Sequence, residues 1–401
     1  MAGFDPGCLV SGGVLSLYVH VPFCRLKCPY CDFFSVPAAS SLDLERVIAE
    51  TTEQLACFKD WLRPAQVPTV YIGGGTPSLL PAQLLKKLLC AVRDFIPKSC
   101  GEQVEWSVEA NPESLDEPFL RTCLESGANR LSLGIQTMRD ELLRGLGRPG
   151  DAAANRKALR LVASRWEGRL SLDLLAGIPG QTMAAMREDL DRAMEARPGH
   201  ISFYALTPPP GSSLESRIDS QRRDGVWLAG FRRLEQSGYR NYEISNFARS
   251  GEECRHNLRY WNLRPYLGVG PGAVSTLPGR GARVYRLFNP ERLDRFLAGR
   301  NAAWNLRLAR ISGRSFVFET LMMGLRLNEG LERGAFIRRF GLPLENLVPG
   351  LWPEWNARGL TAEIGGRYAL NRKGRLSLDR LLIELAEHLE KTASCRTLFF
   401  E

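Results

Sequence analysis

The chain has 401 residues, enough for roughly two or three domains and a large buried core, which excludes a small disulfide-stapled scaffold. Its 44% apolar and 24% charged residues are ordinary globular usage, so wholesale disorder and fibrous repeats are excluded, and the longest apolar stretches are strand-sized, short of the ~20 residues a membrane span needs. Ten cysteines without a basic-then-apolar leader before Cys24 point to reduced thiols in the cytoplasm, and a formal charge of +9 favours anionic ligands or simply a solvated Arg-rich surface.

After an N-terminal extension over residues 1–16, six short apolar runs at 17–21, 69–72, 105–109, 130–134, 170–176 and 201–206 alternate with helical patterns. That alternation predicts βα units around a parallel sheet, and six strands imply an incomplete barrel or an open sheet. Between the first two runs Leu44, Ile48, Leu55, Phe58 and Leu62 recur at helical spacing, which predicts an amphipathic crossover helix. Further helices are expected over 81–95, 116–125, 152–165 and 183–196, each ended by Gly, Pro or a polar turn. Past Pro208-Pro209-Pro210 the pattern loosens into a basic helix, a turn at Ser237-Gly238 and a Gly-rich run over 268–272. A boundary near residue 300 sets off a small C-terminal domain over 301–401, with helices at 316–326 and 335–340, a hairpin turning at Gly365-Gly366 and a closing helix at 378–389. That order suggests a winged-helix-like module, and without a Lys/Arg-dense recognition helix its expected use is packing or partner docking.

The strongest chemical signal is Cys24, Cys28 and Cys31 in a C-x3-C-x2-C spacing just after the first strand. Ten cysteines scattered at random give an expectation of about 0.006 such matches. A loop of this length can wrap three thiolates around a 4Fe-4S cube and leave the fourth iron without a protein ligand. A structural zinc site would want a fourth Cys or His at matching spacing, and no partner pair occurs elsewhere. Cys8, Cys57, Cys90, Cys100, Cys123, Cys254 and Cys395 sit singly and read as core filler or spare thiols. Gly73-Gly74-Gly75-Thr76-Pro77 closes the second strand, where residues without a Cβ allow close backbone approach to a ligand. Glu109 and Asp173 fall at or within strands, where an acid must be paired or hydrogen-bonded, and where barrel active sites are built.

The cysteine spacing followed by the Gly run resembles the radical S-adenosylmethionine (SAM) superfamily. Within it, the segments Tyr18-Val-His-Val-Pro-Phe-Cys24, Ser107-Val-Glu109-Ala-Asn-Pro and Asn129-Arg-Leu-Ser-Leu-Gly-Ile-Gln136 look like one branch. That branch contains oxygen-independent coproporphyrinogen III dehydrogenase and the HemW-type heme chaperones, and the likeness covers about residues 15–390. The resemblance implies a partial (β/α)6 TIM-like barrel, a 4Fe-4S cluster on Cys24, Cys28 and Cys31, and SAM contacts by Tyr18, Gly74, Gly75, Thr76, Glu109, Gln136, Arg148 and Asp173. Arg148 is also readable as a solvated surface arginine on a helical segment.

The decarboxylating relatives carry a fourth cysteine two residues beyond the third, whereas this chain has Phe33 there, which favours the chaperone branch. His256-Asn257-Leu-Arg-Tyr260-Trp261 looks like the H-N-x-x-Y-W element of HemW proteins, associated with heme binding. Imidazole is the commonest protein ligand to heme iron and aromatic faces can stack on a porphyrin, so His256, Tyr260 and Trp261 are candidate heme contacts. A histidine among aromatics is equally the pattern of a satisfied core residue, and His20 is a second candidate or a cluster neighbour. Where relatives usually read Gly-Ala-His-Ser the chain has Gly272-Ala273-Val274-Ser275, and the segment over 212–225 is shortened. The implied partners are heme, heme-acceptor proteins and a reductant protein for the cluster; nucleic acid is not expected, and a homodimer is compatible with the sequence.

Overall fold

The computed structural model describes residues 6–38, 41–280 and 283–391, so Cys395 and the first five residues of the N-terminal extension lie outside them. Each of the six apolar runs forms a strand: β1 Ser16–Val21, β2 Thr69–Gly74, β3 Glu105–Ala110, β4 Arg130–Gln136, β5 Arg169–Ala176 and β6 His200–Ala205. They pair in parallel in chain order. Helices α1 Ser41–Leu62, α2 Ala82–Phe95, α3 Glu117–Ser126, α4 Ala152–Arg165 and α5 Met183–Glu195 connect them and share one apolar core with the sheet. Three of these helices begin where a side-chain oxygen takes an otherwise orphaned N–H: Asp116 from Phe119, Asp151 from Ala154 and Thr182 from Ala185.

The sheet runs beyond these six strands. After α6 Ser220–Gln236, β7 Arg240–Asn241 and β8 Asn246–Ala248 extend it antiparallel past β6. On the other side β9 Tyr266–Val269 pairs parallel with β1, and β10 Val274–Pro278, β11 Val284–Phe288 and β12 Arg307–Arg310 follow antiparallel. The order β12-β11-β10-β9-β1-β2-β3-β4-β5-β6-β8-β7 ends on two different edges, so the barrel is partial. Two corrections to the sequence reading follow. The Gly-rich run over 268–272 is not loose but contains the end of β9, because a Cβ on Gly268 would lie 2.3 Å from the Val274 carbonyl of the adjoining strand. The sheet also continues to Arg310, past the boundary placed near residue 300.

A second apolar core gathers residues from Val317 to Leu389. It is built from α8 Gly313–Gly324, α9 Arg333–Phe340 and α10 Leu378–Lys391 around a small sheet. In that sheet β15 Arg367–Leu370 pairs antiparallel with both β13 Leu331–Glu332 and β14 Thr361–Ala362. Among the described residues no helix is long and apolar enough to cross a membrane.

Candidate functional site

The carboxyl ends of the parallel strands open into one cavity of about 1140 Å³, larger than the roughly 300–1,000 Å³ of a usual small-molecule pocket. Every candidate singled out from the sequence lines it: Cys24, Cys28, Cys31, Tyr18, Gly74, Gly75, Thr76, Glu109, Gln136, Arg148, Asp173, His256, Tyr260 and Trp261.

The cysteine loop leaves β1 and is closed by a two-residue parallel pairing of Phe23–Cys24 with Val36–Pro37. It is held onto β2 by backbone bonds from Gly75 N to Val21 O (2.8 Å) and from Thr76 N to Phe23 O (2.7 Å). The glycines make this seating possible. A Cβ on Gly75 would lie 2.6 Å from the Val21 and Phe23 carbonyls, and one on Gly74, whose φ is +104°, would lie 2.3 Å from the His20 ring. The glycine run therefore serves protein packing directly, besides the ligand approach for which its place after the strand made it a candidate. All three thiols are free; burial pushes those of Cys28 and Cys31 up, so as free thiols they stay protonated. Cys24 Sγ accepts from Thr76 Oγ1 at 3.6 Å, Thr76 Oγ1 from Asn111 Nδ2 at 2.9 Å, and Asn111 Oδ1 from Arg148 at 3.1 Å. Arg148 also donates to Gly134 O at 3.0 Å and pairs with Glu113 at 3.6 Å, its side chain 8% exposed. It is a buried member of the site, not a solvated arginine, and it follows a turn after the short helix Asp140–Gly145.

Glu109 accepts from Tyr71 OH (2.7 Å) and Gly74 N (3.0 Å), yet burial lifts its carboxyl to about 7. Burial likewise lifts Asp173, bonded by Ser132 Oγ at 3.1 Å, to about 6. Both acids thus titrate near neutrality and would become fully ionised when a cationic group faces them. Gln136 sits at a register shift in β4 with φ +65°, a left-handed conformation that a non-glycine residue holds only where its surroundings impose it. Tyr71, Asn111 and Ser132 were not singled out from sequence, since only the sheet register aligns them with the acids.

Three histidines line the cavity, and they differ in one respect. His20 uses both ring nitrogens, on Tyr18 OH and Phe34 O, each at 2.8 Å. His200 does the same, with Ser171 Oγ at 2.7 Å and Tyr242 OH at 2.8 Å. His256 is 1% exposed; its Nδ1 meets Thr69 Oγ1 at 2.9 Å and its Nε2 has no partner among the described residues. Thr69 Oγ1 donates to Ser16 Oγ at 2.8 Å, which leaves it to accept from His256 Nδ1–H. Burial lowers the imidazole to about 3, so the ring is neutral and Nε2 presents a bare lone pair, the tautomer a metal ligand requires. His256 rides on α7 Arg255–Trp261, a short helix whose first N–H groups are taken by Glu105 of β3: Arg255 N at 3.1 Å and His256 N at 2.9 Å. Tyr260 stacks edge-on with His256 and with Tyr266, at centroid distances of 4.7 and 4.5 Å. Val274 lines the same cavity.

A strand-end cavity with three thiols on one loop defines a radical SAM protein, and the profile of that superfamily matches residues 18–193, with the HemN C-terminal domain matching 311–377. The solved structure of coproporphyrinogen III oxidase (HemN) from Escherichia coli shares the fold, with a TM-score of 0.79 at 20% identity over 95% of this chain and 91% of that one. Curated relatives called heme chaperone HemW include that of Escherichia coli K12, 32% identical over 92% of this chain and 97% of its own length. Those of Synechocystis (36%, over 78% of each chain) and Mycobacterium tuberculosis (32%, over 93% and 95%) agree. The chain belongs to the HemW family of the radical SAM superfamily, and that membership implies a 4Fe-4S cluster and SAM.

Proposed function

We propose that this protein is a heme chaperone that binds heme in the cavity beside its cluster and SAM and delivers it to acceptor proteins in the cytoplasm. The observation that carries the reading is the buried, unprotonated Nε2 of His256, without a partner among the described residues, on a residue that lines the cavity among aromatic rings. Its relatives bear the name heme chaperone. Cys24, Cys28 and Cys31 would hold the cluster, and three free thiols on one closed loop suit it. Tyr18, Gly74, Gly75, Thr76, Glu109, Gln136, Arg148 and Asp173 would hold SAM. When bound and reduced by a partner protein, the cluster supplies the electron that breaks a sulfonium–carbon bond. Glu109 and Asp173 meet cationic groups with carboxylates whose proton is lost near neutral pH. The Arg148–Asn111–Thr76–Cys24 chain of hydrogen bonds holds the loop against the strand ends. Tyr260 and Trp261 offer aromatic surface to the porphyrin. The fourth thiol of the decarboxylating branch is replaced by Phe33, 61% exposed, which sets the chain apart from that activity. Anaerobic incubation of reconstituted protein with coproporphyrinogen III, SAM and a reductant is expected to leave the substrate unchanged while the protein takes up heme stoichiometrically. Formation of protoporphyrinogen would overturn the chaperone reading.

A further inference from the structure

His256 is not the only unsatisfied group at its end of the cavity. The indole Nε1 of Trp261, on α7, and the Nε of Arg326, just past α8, are both buried and without an acceptor among the described residues. The two side chains come from different cores of the molecule and meet at the cavity wall, with the Arg326 guanidinium carbon 5.6 Å from the Trp261 ring centroid. Neighbouring Arg286 is already neutralised: it donates to Thr276 Oγ1 at 2.6 Å and to Glu319 Oε2 at 2.5 Å. Arg326 Nε, by contrast, finds no acceptor among the described residues. Buried donors left unmade are costly, and two of them on side chains that meet at a cavity wall mark a place where a ligand's acceptor would be favoured.

We propose that Trp261 and Arg326 form a carboxylate subsite, and that it takes a propionate of the porphyrin whose iron His256 would ligate. The inference rests on the heme reading and extends it to the periphery of the ligand. A guanidinium is a planar fork matched to a carboxylate, and the Trp261 ring lies within cation–π range of it. Arg326 has no ion pair among the described residues, which suits a singly charged carboxylate, and Glu243 and Glu291 line the same cavity and disfavour a more highly charged anion such as phosphate. Met322 and Met323 line the wall nearby and give the macrocycle an adaptable apolar surface. The segment matching the HemN C-terminal domain, residues 311–377, includes Arg326, so the C-terminal core contributes to the heme site itself.

The test compares heme with heme dimethyl ester, whose propionates are blocked, by Soret titration of the full-length protein. Arg326→Ala is expected to weaken heme binding by about tenfold while changing dimethyl ester binding by less than about threefold, with the Soret maximum unmoved. Trp261→Phe, which keeps an aromatic ring and removes only the N–H, is expected to act in the same direction by about threefold. Equal weakening of both ligands, or of neither, would overturn the subsite. Wild-type protein that binds both ligands equally would leave the heme reading standing and the subsite refuted, whereas wild-type protein that binds neither would remove both.

Discussion

At the cysteine end of the cavity Arg148 reaches Asn111, Gly134 and Glu113, His20 spends both ring nitrogens and Glu109 accepts from two donors. At the α7 end His256 Nε2, Trp261 Nε1 and Arg326 Nε have no partner among the described residues. Tyr71 joins the two: its hydroxyl donates to Glu109 and its ring lies 5.3 Å from that of His256. The first end is held in shape mostly by the protein's own bonds, Ser35 Oγ on the loop being the exception, as a loop that must present three sulfurs in fixed positions requires. The second leaves polar groups unsatisfied, so a ligand supplying an iron and an acceptor there removes a penalty as well as adding a bond.

That contrast can be broken in several places. Cys28→Ser is expected to have the largest effect, cutting iron and sulfide content after anaerobic reconstitution by more than about tenfold while heme uptake persists. A normal cluster signal in that variant would break the assignment of the cysteine end. Gly74→Ala drives a Cβ into the His20 ring and strains a left-handed backbone, so denaturant titration is expected to show a loss of about 1–3 kcal/mol. An unchanged midpoint would mean that the loop is not seated as described.

The buried acids give a pH dependence of defined sign. Glu109 at about 7 and Glu243 at about 7 are raised by burial, so between the ordinary carboxylate range and neutrality the folded state holds protons that the unfolded state has lost. Their contribution to stability is full below the unfolded value and disappears as pH rises through about 7. His20, His200 and His256, lowered by burial to about 4, 3 and 3, act oppositely, but only below their ordinary value near 6.5. From pH 6.5 to 8 the ligand-free protein should therefore lose stability, with Glu109 contributing about 1 kcal/mol. Urea midpoints at the two pH values should converge in Glu109→Gln relative to the wild type; an identical slope would show that Glu109 is not the group titrating.

The sheet and its strand-end residues were legible in the sequence because each of the six predicted strands is a local apolar run and a helical pattern, in three cases with a capping side chain, separates each from the next. The cysteine spacing, the Gly run, Glu109 and Asp173 each fall at or near a strand terminus, so finding the strands finds one end of the cavity. The other end was legible only as a motif. Helix α7 is seven residues long without a capping side chain of its own; its N-terminus is satisfied by Glu105, about 150 positions away, which no local pattern records. Strand β9 was hidden by glycines whose reason is the close approach of the next strand. The orphan pair Trp261 and Arg326 depends on how two separately folded cores meet, and nothing in either segment announces it.

The central claim is that His256 Nε2 is the protein ligand of bound heme. Anaerobic heme titration of wild-type protein and His256→Ala, read by the Soret band and by EPR of the ferric form, tests it directly. A nitrogen-ligated spectrum in the wild type, lost in the variant together with more than about tenfold in affinity, is the result expected. Superimposable spectra and equal affinities for the two proteins would contradict it.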